Sequence, residues 1–235
     1  MQLPVSLKPD PSLIRCYCER PRIEEQPLKE ERMPQFETTL ADLLGSRICH
    51  DLISPIGAIS NGIELLEMAG QSGEKSGPEI TLISESVEHA NARIRYFRLA
   101  FGAATRGQGI SNSEVRSILR GYSTSARVEI DWKINTDPDR SDAKLAFLLL
   151  QCLETAMPFG GVITVTEDTS GWHISGRTEK MKINPDLWEL LSNPAADYAL
   201  KPSEIQFALT PLAAAQAGRT LTLKVSKEVG IIVGF

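Results

Sequence analysis

Apolar residues from position 40 onward recur with a helical period. Leu40, Leu44, Ile48, Leu52, Ile56, Ile59, Ile63 and Leu66 follow one another at intervals of three or four. That is the stripe of an amphipathic helix with a coiled-coil-like seam. The spacing predicts a helix over 38–70, closed near Gly70 by a turn at 71–77. Pro78 suits the first position of a second helix, and Ile80, Ile83, Val87, Ala90, Ile94, Phe97 and Phe101 continue the same alternation of three and four. Two long helices with a short connection make an antiparallel hairpin. A single hairpin leaves its seam half covered, and exposed apolar surface costs about 25 cal/mol per Å2 in water. Pairing with a second copy closes a four-helix bundle, so the pattern predicts a homodimer through 38–105. The alternative is that the C-terminal half covers the stripe within one chain.

Beyond the glycine-containing linker at 105–109 the pattern becomes mixed. A short helix is predicted over 112–122 and an alternating strand over 126–134, with Asp137 placed to cap a helix that holds Leu145 to Leu153. Gly160 and Gly161 open a strand over 162–167, and 172–183 supplies another. Helices over 186–191 and 203–217 precede a closing hairpin of strands, 220–225 and 229–235. One layer of helices on one mixed sheet buries such elements. Residues 1–36 differ: six prolines and the charged run 29–32 leave no helical or strand period. Such a segment buries too little apolar surface to offset its ordering entropy, and it is predicted to be a disordered extension.

Composition narrows the function. The net charge of −5 and the lack of a basic run argue against a nucleic-acid partner. No apolar run approaches the roughly 20 residues that span a bilayer, and the N-terminus lacks the order of a secretory signal. Cys16, Cys18, Cys49 and Cys152 form no metal-ligand pattern, and neither His89 nor His173 has a second ligand at i+3 or i+4. Four free thiols in a cytoplasmic protein with no structural metal are expected.

The candidate chemistry lies in SRICHDLISPIGAI, residues 46–59. At roughly 100° per residue, His50 points about 200° away from Leu52 and so out from the seam. Asp51 adjoins it. Pro55 removes the amide that would bond the Asp51 carbonyl. Ser46, Arg47, Ile53, Ser54, Gly57 and Asn61 fall on the His50 face by helical spacing. They are candidate partner contacts, with Arg47 suited to a phosphoryl oxygen and Gly57 to close approach of a backbone. Arg93, Arg95 and Arg98 read as a solvated face.

The order His50, Asp51, Leu52, Pro55 resembles the H-box of two-component histidine kinases, where the histidine is phosphorylated and the adjacent acid hydrogen-bonds its ring; the resemblance implies that Nδ1–H of His50 faces Asp51 and that Nε2 is the nucleophile. Residues 144–165, with Pro158, Gly160 and Gly161 between helix and strand, resemble the N-box region of the kinase ATP-binding domain. The fold implied is α+β: a hairpin domain (37–105) in a dimeric four-helix bundle, then a Bergerat-type α/β sandwich (111–235). The family's Mg2+-binding asparagine is missing; Gln151, Cys152 and Glu154 are the nearest candidates. Its Asp-x-Gly-x-Gly motif and glycine-rich lid are missing too, so the sandwich is expected to be degenerate, with little or no hold on ATP.

An H-box hairpin followed by a degenerate kinase domain is similar to the ChpT-type histidine phosphotransferases of alphaproteobacterial phosphorelays, over residues 38–235. The resemblance implies a cytoplasmic homodimer. It implies that His50 takes phosphoryl from the receiver domain of a hybrid sensor kinase and passes it to response regulators of the cell-cycle type. It implies no tightly bound cofactor, Mg2+ being supplied by the receiver. A soluble autophosphorylating kinase and a non-catalytic receiver-binding adaptor are the alternatives.

Overall fold

The computed structural model describes residues 35–72, 77–105, 107–124, 126–226 and 230–235. The expected extension lies almost wholly outside them. Helix α1 (Gln35–Ser72) runs three residues further toward the N-terminus than the period predicts, and it continues through Pro55. Helix α2 (Pro78–Ala100) returns against it. Helix α3 (Asn112–Ser123), strand β1 (Val128–Trp132), helix α4 (Arg140–Ala156) and strand β2 (Gly161–Asp168) follow. Strand β3 (Gly171–Arg177), helix α5 (Pro185–Glu189), a 3-10 turn (Pro202–Glu204), helix α6 (Ile205–Ala217) and strands β4 (Thr222–Ser226) and β5 (Gly230–Gly234) complete the chain.

The strands form one mixed sheet in the order β1-β2-β3-β5-β4. β1 and β2 are parallel, with Val128 opposite Gly161 and Trp132 opposite Val165, and α4 is the crossover between them. The other pairs are antiparallel. Inward positions alternate along the strands: Ile163 and Val165, Trp172 and Ile174, Ile231 and Val233 are all buried. A strand covered on one face shows this period of two.

Helix α4 is different, being buried on all sides from Leu145 to Leu153. A helix apolar all round must be enclosed, and α4 packs on β3, on α6 and on α2. The expected single layer of helices is therefore incomplete: the C-terminal end of α2 belongs to the same core. Tyr96 is fully buried, stacks on Tyr122, leans on Phe147 and donates its hydroxyl to the Phe147 carbonyl at 2.7 Å. The stripe of α2 thus divides in two. Phe97 enters the core, whereas Ile80, Val87 and Ile94 remain exposed, as do Ile56 and Ile63 of α1.

Local chemistry corrects two boundaries. Asp139, not Asp137, caps α4, accepting from the amide of Ser141 at 2.8 Å. Asp137 instead accepts from the amide of Asn112, one of the open donors at the start of α3. Strand β3 stops at Arg177, where its pairing with β2 ends. Met181 and Ile183, beyond it, pack against the core from a loop.

Gly160 (φ 93°) and Gly161 (φ 146°) connect α4 to β2 in backbone regions that L-residues rarely adopt. A Cβ on Gly161 would strike the Arg177 carbonyl and the Met157 side chain. Gly161→Ala is expected to destabilise the protein by about 2 kcal/mol or more, read as a lower urea midpoint, while Gly57→Ala, inside α1 where a Cβ meets open space, is expected to raise the midpoint by adding about 0.5–1 kcal/mol of stability.

Candidate functional site

His50 stands near the middle of α1, with 85% of its side chain exposed. Its Nδ1 lies 3.2 Å from Oδ1 of Asp51. Nε2 has no hydrogen-bond partner among the described residues. Asp51 turns the other way, into the groove between α1 and α2, with 11% of its side chain exposed. Its Oδ2 accepts from Arg47 Nε at 2.7 Å, and Arg93 Nη1 lies 3.9 Å from the same oxygen. One carboxylate oxygen serves the imidazole and the other faces two guanidinium groups.

Arg47 does not occupy the exposed face assigned to it by spacing. Only 17% of its side chain is exposed, and Nη1 donates to the carbonyl of Ser203, in the turn ahead of α6, at 2.9 Å. Helical spacing gives the direction of a Cα–Cβ bond, but a guanidinium is long enough to follow its charge partner. The pair is held at i and i+4, the spacing at which such partners meet on a helix; that spacing was the available signal. Ser46, Ile53, Ser54, Gly57 and Asn61 are all exposed on the surface that carries His50, and Ile53, at 68% exposed, is the most solvated large apolar residue of this strip. Arg95 and Arg98 are solvated, as the sequence suggests, but Arg93 is turned inward to Asp51.

Beneath this pair lies a buried acid that sequence reading considered only as a substitute metal ligand. Glu154 of α4 accepts from the Tyr122 hydroxyl at 2.9 Å, and its other oxygen is buried without a partner. Burial pushes its carboxyl up to about 7. The Tyr122 hydrogen bond and the charges of Arg47 and Arg93 hold it back, and Asp51 adds to the rise. Burial also raises both Tyr96 and Tyr122, with Glu154 contributing to each. No spacing rule connects residue 154 to residue 51; tertiary packing of α4 under the hairpin does.

A nucleotide with its magnesium does not fit the residues present. Gln151 is buried, Cys152 lies 3.7 Å from the Thr210 hydroxyl of α6, and Glu154 faces Tyr122 of α3. Burial pushes the Cys152 thiol up, so it stays protonated. All three point into helix packing, not into an open cleft. Among the described residues no cluster of three His, Cys, Asp or Glu groups suits a metal ion. Cys49 and Cys152 are free. No described helix is long and apolar enough to cross a membrane.

Residues 112–229 match the family model of the histidine phosphotransferase C-terminal domain. The chain is 31% identical over 195 residues to the protein phosphotransferase ChpT of Brucella abortus (strain 2308), covering 80% of this chain and 91% of that protein. A solved structure of a bacterial phosphotransferase superposes with a TM-score of 0.67 at 30% identity, covering 83% of this chain and 95% of the other.

The buried acid makes stability depend on pH. An unfolded Glu154 ionises near 4.5, whereas the folded one keeps its proton to about 7. Its contribution therefore falls as pH rises from about 4.5 to about 7 and is constant above, a loss on the order of 3 kcal/mol. Glu154→Gln keeps an acceptor for Tyr122 and removes the titration. The variant is expected to gain unfolding free energy over the wild type at pH 8 relative to pH 5, measured by urea denaturation at both values.

Proposed function

The chain belongs to the histidine phosphotransferase family and relays phosphoryl groups in two-component signalling; from that premise we propose that His50 is the residue that carries them. The observation that supports this reading is an imidazole exposed to a partner, with Nδ1 held by Asp51 at 3.2 Å and Nε2 open. The donor is the aspartyl phosphate of a receiver domain, here that of a hybrid sensor kinase. The Nε2 lone pair attacks phosphorus, the bond from phosphorus to the aspartyl oxygen breaks, and the carboxylate leaves with the electron pair. The ring keeps its proton on Nδ1 and becomes cationic, and Asp51 compensates that charge. The reverse sequence delivers the group to an aspartate of a response regulator. Mg2+ enters with the receiver domains and is not held by this chain.

The partner contacts are Ser46, Ile53, Ser54, Gly57 and Asn61, the exposed strip around His50. Residues 111–235 form a degenerate kinase-type sandwich that does not feed His50 from ATP, which fits the burial of Gln151, Cys152 and Glu154. The working unit is a cytoplasmic homodimer. Ile56 and Ile63 on α1, and Ile80, Val87 and Ile94 on α2, repeat at intervals of seven and are exposed in the single chain. Such a row is the unfilled side of a four-helix bundle.

Two measurements check this. Incubated with a receiver domain carrying radiolabelled phosphate, the wild type is expected to take up acid-labile label, and His50→Ala none. Label acquired from ATP alone would make the chain a kinase, and relay by His50→Ala would remove His50 from the reaction. In light scattering the wild type is expected at twice the chain mass and the double variant Ile63→Asp, Val87→Asp at the chain mass; a wild-type monomer at micromolar concentration would remove the dimer.

A further inference from the structure

We infer that Arg47 is a positioning residue for phosphoryl transfer, acting through Asp51 and anchored to the C-terminal part of the chain at the Ser203 carbonyl. The inference rests on His50 as the phosphoryl carrier. Its basis is the way Asp51 is shared. A carboxylate next to a histidine on an exposed helix has several rotamers, and only one points an oxygen at Nδ1. Arg47 Nε closes a 2.7 Å ion pair on Oδ2, which leaves Oδ1 to face the imidazole at 3.2 Å. The guanidinium is itself fixed at a second point, by Nη1 to Ser203 O at 2.9 Å. Two bonds in different directions from one planar group set its orientation, which a lysine cannot reproduce.

The site therefore has a chain of support from the α/β part to the nucleophile: the Ser203 carbonyl, Arg47, Asp51, His50. Arg93 stands 3.9 Å from Oδ2, beyond hydrogen-bond distance, and adds charge without direction. Arg47 does not touch the phosphoryl group. With its guanidinium spent on Asp51 and Ser203, it sets which ring nitrogen carries the proton, and so which one attacks. The transfer step is the one described above, with the proton resting on Nδ1 throughout.

The test uses the full chain and two phosphoryl donors. Phosphoramidate phosphorylates histidine directly, with loss of ammonia, and needs no docking surface. A phosphorylated receiver domain needs one. Arg47→Gln is expected to slow His50 phosphorylation from both donors by about 10- to 100-fold, the usual effect of removing a group that orients a reacting one. Half-saturation for the receiver should be unchanged. Nitrogen-15 spectra of the imidazole should move from one dominant Nδ1–H tautomer toward the mixture of a free ring. Arg47→Lys should show the same pattern less strongly, and Arg47→Lys combined with Asp51→Asn should be no slower than Asp51→Asn alone. If Arg47→Gln unfolds, as read by its melting curve, the lysine variant and the double variant decide.

Wild-type rates with phosphoramidate in both arginine variants would overturn the inference. So would a loss confined to the receiver arm through half-saturation, which would make Arg47 a docking contact. His50→Ala run in parallel separates the two levels. Label persisting in it sinks the carrier assignment, whereas label lost in it but normal in the arginine variants sinks only the role of Arg47.

Discussion

Helix α4 has no solvated face, and that constraint organises the molecule. From Leu145 to Leu153 nearly every side chain is apolar and buried, so the helix must be enclosed on all sides. The sheet supplies one wall through β3, α6 a second, and the last turns of α2 a third. The α/β part thus completes its core only by taking in the end of the hairpin. Separating the two would expose Tyr96, Phe97 and Phe147 together, at about 25 cal/mol per Å2 of apolar surface. The same packing fixes what surrounds the reactive pair. Burying Tyr96 sets the rotation of α2 and with it the position of Arg93, and seating α6 on α4 sets the Ser203 carbonyl that Arg47 reaches.

The elements were legible because each carries a local signal: period three-to-four in α1 and α2, alternation in β1, paired glycines at the start of β2. The outward orientation of His50 was legible for the same reason, since it follows from the seam on its own helix. What stayed hidden depends on distances between elements. Arg47 belongs by angle to the exposed face, but its terminal atoms sit some five bonds from the backbone and go to Asp51 and Ser203. Glu154 sits about a hundred residues from Asp51, and no pattern within α4 distinguishes its carboxylate from that of an exposed acid. Asp137 and Asp139 flank a proline within three residues, and either is a plausible cap by composition. Only the meeting of α3 with the loop before α4 assigns one to each helix. The strand order, with β5 inserted between β3 and β4, likewise depends on pairings that leave no mark on the order of the chain.

Gln151, Cys152 and Glu154, the positions nearest the asparagine that the sequence resemblance lacks, are enclosed by packing. A nucleotide cleft needs polar side chains aimed at a solvent-filled space. Here Cys152 lies against Thr210, and the Glu154 carboxyl lies against Tyr122. This side of α4 meets α3 and α6. The cost is a set of buried polar atoms without partners, Gln151 and one oxygen of Glu154 among them. Each costs roughly 1–3 kcal/mol relative to a satisfied group. Glu154 lessens its own cost by keeping its proton, which removes the buried charge.

A relay residue faces opposing demands. It must be open to partners at Nε2, yet its ring must be held firmly enough to keep the proton on the other nitrogen. Exposure alone gives a rotating imidazole with two tautomers, and burial gives an ordered ring that no receiver reaches. With His50 as the proposed carrier, the two demands fall on adjacent residues. His50 is almost fully solvated, while Asp51 is drawn into the groove between α1 and α2 and held there by Arg47. One carboxylate, at a hydrogen bond's distance from the ring, thus joins the exposed imidazole of the proposed carrier to the groups in the groove behind it. Because the anchor of Arg47 is a main-chain carbonyl in the turn before α6, any motion of that turn relative to α1 acts on the imidazole through Asp51. On the proposal that His50 carries the group, this hydrogen bond links the C-terminal part to the site.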